Sequence, residues 1–134
     1  LPGFYARTNA GNNVTLYDAA EAGGPTFPFV ASLTPGQTYY ITFVRSSSVL
    51  YLYVDGVLDA NNFPLSRNII DEIGIGTDRH DTSASPFQGL IYDFRVYDSA
   101  LSAANIAAIM TNSYAATDPV LWLPLAEGAG GVAG

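Results

Sequence analysis

The 134 residues suffice for one domain with a single sizeable core and fall short of two of ordinary size. With 49% hydrophobic and only 13% charged residues the chain is no solvated, disordered polymer, and no apolar run approaches the roughly 18–20 residues of a membrane helix, so no membrane is expected as a partner. A formal net charge of −7, with Arg7, Arg45, Arg67, Arg79 and Arg95 scattered singly, argues against nucleic acid, which needs a clustered basic face; the absence of Cys removes disulfides, thiolate catalysis and zinc–thiolate sites.

The chain begins at Leu1 with neither Met nor a charged and apolar leader, which points to a processed or excised segment. GFYARTNA (residues 3–10) and NVTLYDA (residues 13–19) are expected as strands joined by the turn Ala10-Gly11-Asn12, and a weaker strand over 27–33 precedes the turn at Pro35-Gly36. In QTYYITFVR (residues 37–45), Tyr39, Ile41 and Phe43 share one face while Tyr40, Thr42 and Val44 share the other. VLYLYV follows after Ser46-Ser47-Ser48, with Leu50, Leu52 and Val54 opposing Val49, Tyr51 and Tyr53. Asp55-Gly56 between Tyr53-Val54 and Val57-Leu58 predicts a two-residue hairpin, because a type I′ turn needs positive φ at both central positions. IIDEIGIG (residues 69–76) is a further strand, with Ile69, Ile73 and Ile75 on the face of Asp71.

GLIYDFRVYD is the clearest alternation: Leu90, Tyr92, Phe94 and Val96 face one way, Ile91, Asp93, Arg95 and Tyr97 the other, and the first set is expected in the inter-sheet core. One helix then follows in LSAANIAAIM, with Ser102 as N-cap, Asn105 at the third helical position and Leu101 with Ile106 as a hydrophobic staple. About eight short strands, frequent Gly, Pro and Asn turns and one short helix near the C-terminus describe an all-β, antiparallel β-sandwich. Residues 1–114 form an incomplete sandwich domain, 115–119 a linker, and 120–134 a terminal strand, LWLPL, that completes the same or a neighbouring sandwich.

The ordered series GQTYYITFVRSSSVLYLYVDGVL, DEIGIGTD and FQGLIYDFRVYDSALSAANIAAI resembles the laminin-G-like, concanavalin A-like jelly-roll modules of secreted and surface proteins. Two departures stand out: Tyr39-Tyr40 where that family has an aromatic–His pair, and Asn105 where its helix carries an acidic residue. The resemblance implies a concanavalin A-like jelly roll and an extracellular or surface-exposed setting: secreted, cell surface or virion. It also implies that LWLPLAEGAG corresponds to the family's opening strand, here at the end of the chain, and that its place is beside the Arg-Val-Tyr strand.

Some enzymes on this fold cleave β-glucans with carboxylates alternating along one strand, so that acid and nucleophile face one groove about 5 Å apart. Asp71 and Glu72 are adjacent and point to opposite faces, and Asp93 shares its face with Arg95 and Tyr97 but with no second carboxylate, so no enzyme is expected. His80 stands alone in GTDRHDTSASPFQG, which reads as a solvated loop. Family modules sometimes bind calcium at a loop rim, and Thr77, Asp78 and Asp81 supply hard oxygen ligands; a plain acidic surface loop is the alternative, and no other cofactor is indicated. Asn13-Val14-Thr15 matches a glycosylation sequon, a triplet that arises readily by chance. Tyr51 and Tyr53 either line a ligand-binding surface that stacks on sugar or cover a second apolar layer, the latter being favoured.

These residues predict a non-catalytic structural or adhesion module, with a carbohydrate-binding (lectin-like) module of a larger secreted, phage or virion surface protein as the alternative. Partners are a homo-oligomer or a neighbouring module of a tandem array, and a glycan in the alternative. A free Leu-Trp-Leu tail would expose apolar surface, so Leu121, Trp122, Leu123 and Leu125 are expected to pair with the receiving strand Ile91, Asp93, Arg95 and Tyr97. The linker after the helix favours a strand that reaches out and completes the next subunit of a filament over one that closes its own fold.

Overall fold

The computed structural model describes residues 4–18, 26–65, 87–111 and 118–125. The expected strand over 69–76, Asp71, Glu72, Thr77, Asp78, His80, Asp81 and linker positions 115–117 lie outside the described residues. Strands β1 (Phe4–Thr8), β2 (Asn13–Asp18) and β3 (Thr26–Ser32) form one antiparallel sheet in the order β1-β2-β3. Strands β4 (Ile41–Ser46), β5 (Val49–Val54) and β6 (Val57–Pro64) form a second, order β4-β5-β6.

The turns follow from residues that tolerate left-handed backbone. Between β1 and β2, Asn9 Oδ1 accepts from the amides of Gly11 (2.9 Å) and Asn13 (3.1 Å), and Asn12 takes φ 60°. The β4–β5 connection places Ser47 and Ser48 at φ 48° and 62°, with Ser46 paired to Val49. Asp55 and Gly56 take φ 51° and 77° between the paired residues Val54 and Val57, which is the predicted two-residue hairpin. The same Asp55 also fixes the entry to β4: its Oδ1 accepts from the Tyr40 amide at 2.7 Å, and its own amide donates to the Tyr40 carbonyl at 2.8 Å.

Period-two alternation then assigns the faces. Val14 and Leu16 of β2, Phe27 and Phe29 of β3 and Leu50 and Leu52 of β5 are buried together, with Ile41, Phe43, Val54 and Phe63 packed around them. Rings interlock across the two sheets: Phe29 meets Phe43 at 6.1 Å and Phe63 at 5.2 Å between centroids. The opposite face of β5 is covered as well. Helix α1 (Ala103–Met110) starts at Ser102, whose side chain accepts from the Asn105 amide at 3.2 Å. Its buried Ile106 and Ile109, with Leu101, pack onto Val44, Tyr40, Tyr51 and Tyr53. The chain is thus layered sheet, sheet, helix, with β5 at the centre.

A polar bracket joins the two sheets at the side. Register slips between Tyr51 and Tyr53 where β6 bulges, and there Asp59 turns its carboxylate to β3. Oδ1 accepts from the amides of Val30 (3.1 Å) and Asn61 (2.8 Å), Oδ2 from Ala31 (2.7 Å), while Asn61 Nδ2 donates to the Pro28 carbonyl at 3.2 Å.

The expected long strand over 90–97 is shorter than its alternation suggests: β7 spans only Phe94–Val96 and pairs antiparallel with β8, Leu121–Leu123. The expectation that Leu90, Tyr92, Phe94 and Val96 enter the inter-sheet core is corrected here. Leu90 and Tyr92 are 75% and 55% exposed, and Phe94 and Val96 are only half-buried. A strand face is buried only where a second layer faces it. Among the described residues β7 is hydrogen-bonded to β8 alone, in a two-stranded sheet separate from both others.

Candidate functional site

The terminal strand and its receiver form the most chemically specific site among the described residues. Alternation along β7 puts Asp93 and Arg95 on one face, and antiparallel register sets Arg95 opposite Trp122, Val96 opposite Leu121 and Phe94 opposite Leu123. Asp93 Oδ1 accepts from the indole Nε1 of Trp122 at 3.0 Å and from Arg95 Nε at 3.1 Å, while Arg95 Nη2 meets Asp93 Oδ2 at 2.9 Å. The Arg95 guanidinium lies 4.5 Å from the centroid of the indole ring. Trp122 is therefore held both at its nitrogen and over its face, and the Val120 amide adds a bond to the Val96 carbonyl at 2.8 Å.

Electrostatics tie this clamp to the layer behind it. Burial raises the pKa of the Tyr40 hydroxyl, Asp93 and Tyr97 raise it further, and Arg95 works against them. For Arg95, burial disfavours the charge, but hydrogen bonding to Tyr97 and Asp93 outweighs it and the pKa is raised. Tyr40 and Tyr97 also pack beside the helix cluster, so the clamp is seated on the body through aromatic contacts. Its outer side stays open: Trp122 is 49% exposed and Val120 62%.

Of the residues expected to take part, Leu121, Trp122 and Leu123 do pair with the receiving strand, and they do so within the single chain. This is the arrangement of β8 within one copy of the chain. Leu125 follows Pro124 beyond the pairing, at φ 49° and 40% exposed. Asp93 and Arg95 make the clamp, Tyr97 lies in the helix layer, and Ile91 is half-buried before β7 begins. The bond from Asp93 to Trp122 spans 29 positions and has no local signature; the only hint is the shared face of Asp93 and Arg95.

Tyr51 and Tyr53 lie elsewhere. They pack beside the α1 layer and, with Val44, Ser46, Leu58 and Ser102, border an open cavity of about 360 Å³ at the start of the helix. Among the described residues no charged side chain lines it. Ser46, Leu58 and Ser102 carry no sequence signal of their own, since each reaches the cavity only through the hairpin register and the helix start.

Comparison with known proteins places this geometry. The model of the concanavalin A-like lectin/glucanases superfamily, laminin-G type, matches residues 2–107. No curated protein matches the chain. The fold resembles the crystal structure of an S-layer domain-containing protein (residues 221–444) from Clostridium thermocellum, with a TM-score of 0.51 and 22% identity, over 81% of this chain and 62% of that one. The present chain therefore spans less than two thirds of that structure.

Proposed function

Because the chain belongs to the concanavalin A-like lectin/glucanase superfamily, we propose that it is a non-catalytic structural or adhesion module of an extracellular or surface-exposed protein, assembling by exchange of its terminal strand β8. The observation that carries the reading is the clamp on Trp122: a charged pair whose carboxylate accepts from the indole nitrogen and whose guanidinium lies over the ring, on an indole otherwise half in solvent. A core strand is held by burial, whereas a joint needs directional recognition that survives exposure. Light scattering on eluting protein across a hundred-fold range of concentration tests it. Assemblies should grow with concentration and disappear in Trp122→Ala; a monomer at every concentration would overturn the reading.

A second reading, carbohydrate binding, is favoured by one separate observation. The hydroxyls of Tyr51 and Tyr53 have no hydrogen-bond partner among the described residues and border an uncharged cavity with Ser46 and Ser102. Aromatic faces beside neutral hydroxyls suit a neutral sugar ring. Glycan-array binding lost in Tyr53→Ala supports this reading, and an array blank for the intact chain removes it.

A further inference from the structure

This inference rests on the assembly reading above and names its partner and its recognition chemistry. We infer that the Asp93–Arg95 clamp of one molecule receives β8 from a second copy of this chain, in the same register that β8 takes in its own fold.

The attachments of β8 are few and all lead to one place. Among the described residues its backbone pairs with β7 alone, in a sheet hydrogen-bonded to neither of the others, over Leu121, Trp122 and Leu123. Leaving β7 uncovers mainly the half-buried Leu121, Phe94 and Val96, since Val120, Trp122, Leu123 and Leu125 are already 62%, 49%, 36% and 40% exposed. Opening this segment thus costs far less than global unfolding.

The segment is also self-contained. Pro119 and Pro124 flank it and have no amide to donate, so pairing cannot spread beyond the short strand. Pro119 further biases Asp118 towards extended backbone, which directs the strand away from a compact turn. Whatever binds β7 must therefore bring its own short Pro-bounded strand with an indole at the middle position. Trp122 is the only Trp in the chain, so a single segment of this sequence fulfils the clamp's requirement. A copy's β8 matches it atom for atom: indole nitrogen to Asp93, ring under Arg95, Leu121 beside Val96 and Leu123 beside Phe94.

Exchange re-forms the same bonds between molecules, so it is decided by concentration and by surface gained beyond the strand itself. Exposed Leu90 and Tyr92 just before β7, at 75% and 55%, and Phe87, at 57%, provide apolar surface for a second copy to cover.

The absence of Cys in the chain allows a direct test. Val96 and Leu121 are register partners, so full-length Val96→Cys and full-length Leu121→Cys chains are mixed in a glutathione redox buffer and the disulfide-linked heterodimer is measured by intact mass. Exchange predicts that at equal concentrations this heterodimer exceeds each homodimer by well over the roughly twofold ratio of random pairing. Adding Arg95→Ala to the Val96→Cys partner should lower its yield roughly fivefold or more, while Arg95→Ala in the Leu121→Cys partner, which loosens that chain's own β8 and frees it for exchange, should not lower the yield. Heterodimer at no more than about twice each homodimer, the ratio of random pairing, overturns the inference. If light scattering still finds assemblies in that case, assembly stands and runs through another face. If the intact chain is monomeric throughout, the assembly reading fails first and takes exchange with it.

Discussion

Strands β5 and β8 are both short apolar runs with an aromatic residue, yet they are held in opposite ways. Leu50 and Leu52 of β5 are fully buried, Tyr51 and Tyr53 on its other face lie under α1, and both neighbouring strands pair with it. Trp122 of β8 is half in solvent, has one paired neighbour, and is kept by a carboxylate and a guanidinium. Burial is non-directional and holds a strand against everything around it, whereas a charge-assisted bond holds one atom against one partner. The first makes a scaffold and the second a contact that can be remade elsewhere.

The comparison can be broken most forcefully at its centre. Leu52→Ala leaves a cavity between the sheets and should cost about 2–5 kcal/mol in denaturant unfolding, with both sheets melting together. A loss well below that range would mean the core collapses around the gap. Next comes Gly56→Val. Gly56 sits at φ 77°, and a Cβ there would lie 3.1 Å from Met110 Sδ, so turn and helix end are disturbed at once. The expected cost is about 1–3 kcal/mol, and a melting temperature within a degree of wild type would refute the strain.

Trp122→Ala should act on the other side of the comparison. Global stability should fall by less than about 1 kcal/mol, while amide exchange of β7 and β8 accelerates and that of β5 does not change. If unfolding shifts as much as for Leu52→Ala, the two regions form one cooperative unit. The smallest effect is expected from Tyr40→Phe. Because burial, then Asp93, raise the Tyr40 pKa in the fold, the stability it contributes is present below the unfolded value near 10 and is lost as pH rises through the raised one. The variant should therefore show a shallower stability decline above pH 10 in a urea series, and an identical slope would mean that Tyr40 titrates as it does unfolded.

What could be read from the sequence divides along the same line. The β4–β5 hairpin, the Asp55-Gly56 turn and the Ser102 cap are legible because each depends on neighbours in the chain. Alternation in residues 90–97 also identifies two faces, but which face is buried depends on a layer supplied from elsewhere, and among the described residues none covers Leu90 and Tyr92. Leu-Trp-Leu announces a strand that has to pair, and the resemblance to laminin-G-like modules implies the Arg-Val-Tyr strand as the partner. The indole bond to Asp93 and the cavity beside Tyr53 arise from residues far apart in the chain, with no periodic trace to betray them.

The Asp59 carboxylate has a consequence for what this surface can attract. Among the described residues β3 is hydrogen-bonded in its sheet to β2 alone, and a strand edge without a paired neighbour is a template for an extended peptide. Asp59 occupies the consecutive amides of Val30 and Ala31 with its two oxygens, so an incoming backbone finds those donors already taken and meets a negative charge. That edge is stoppered from within the molecule. Under the assembly proposed above, an edge unreceptive to stray strands would keep ordered addition from turning into aggregation.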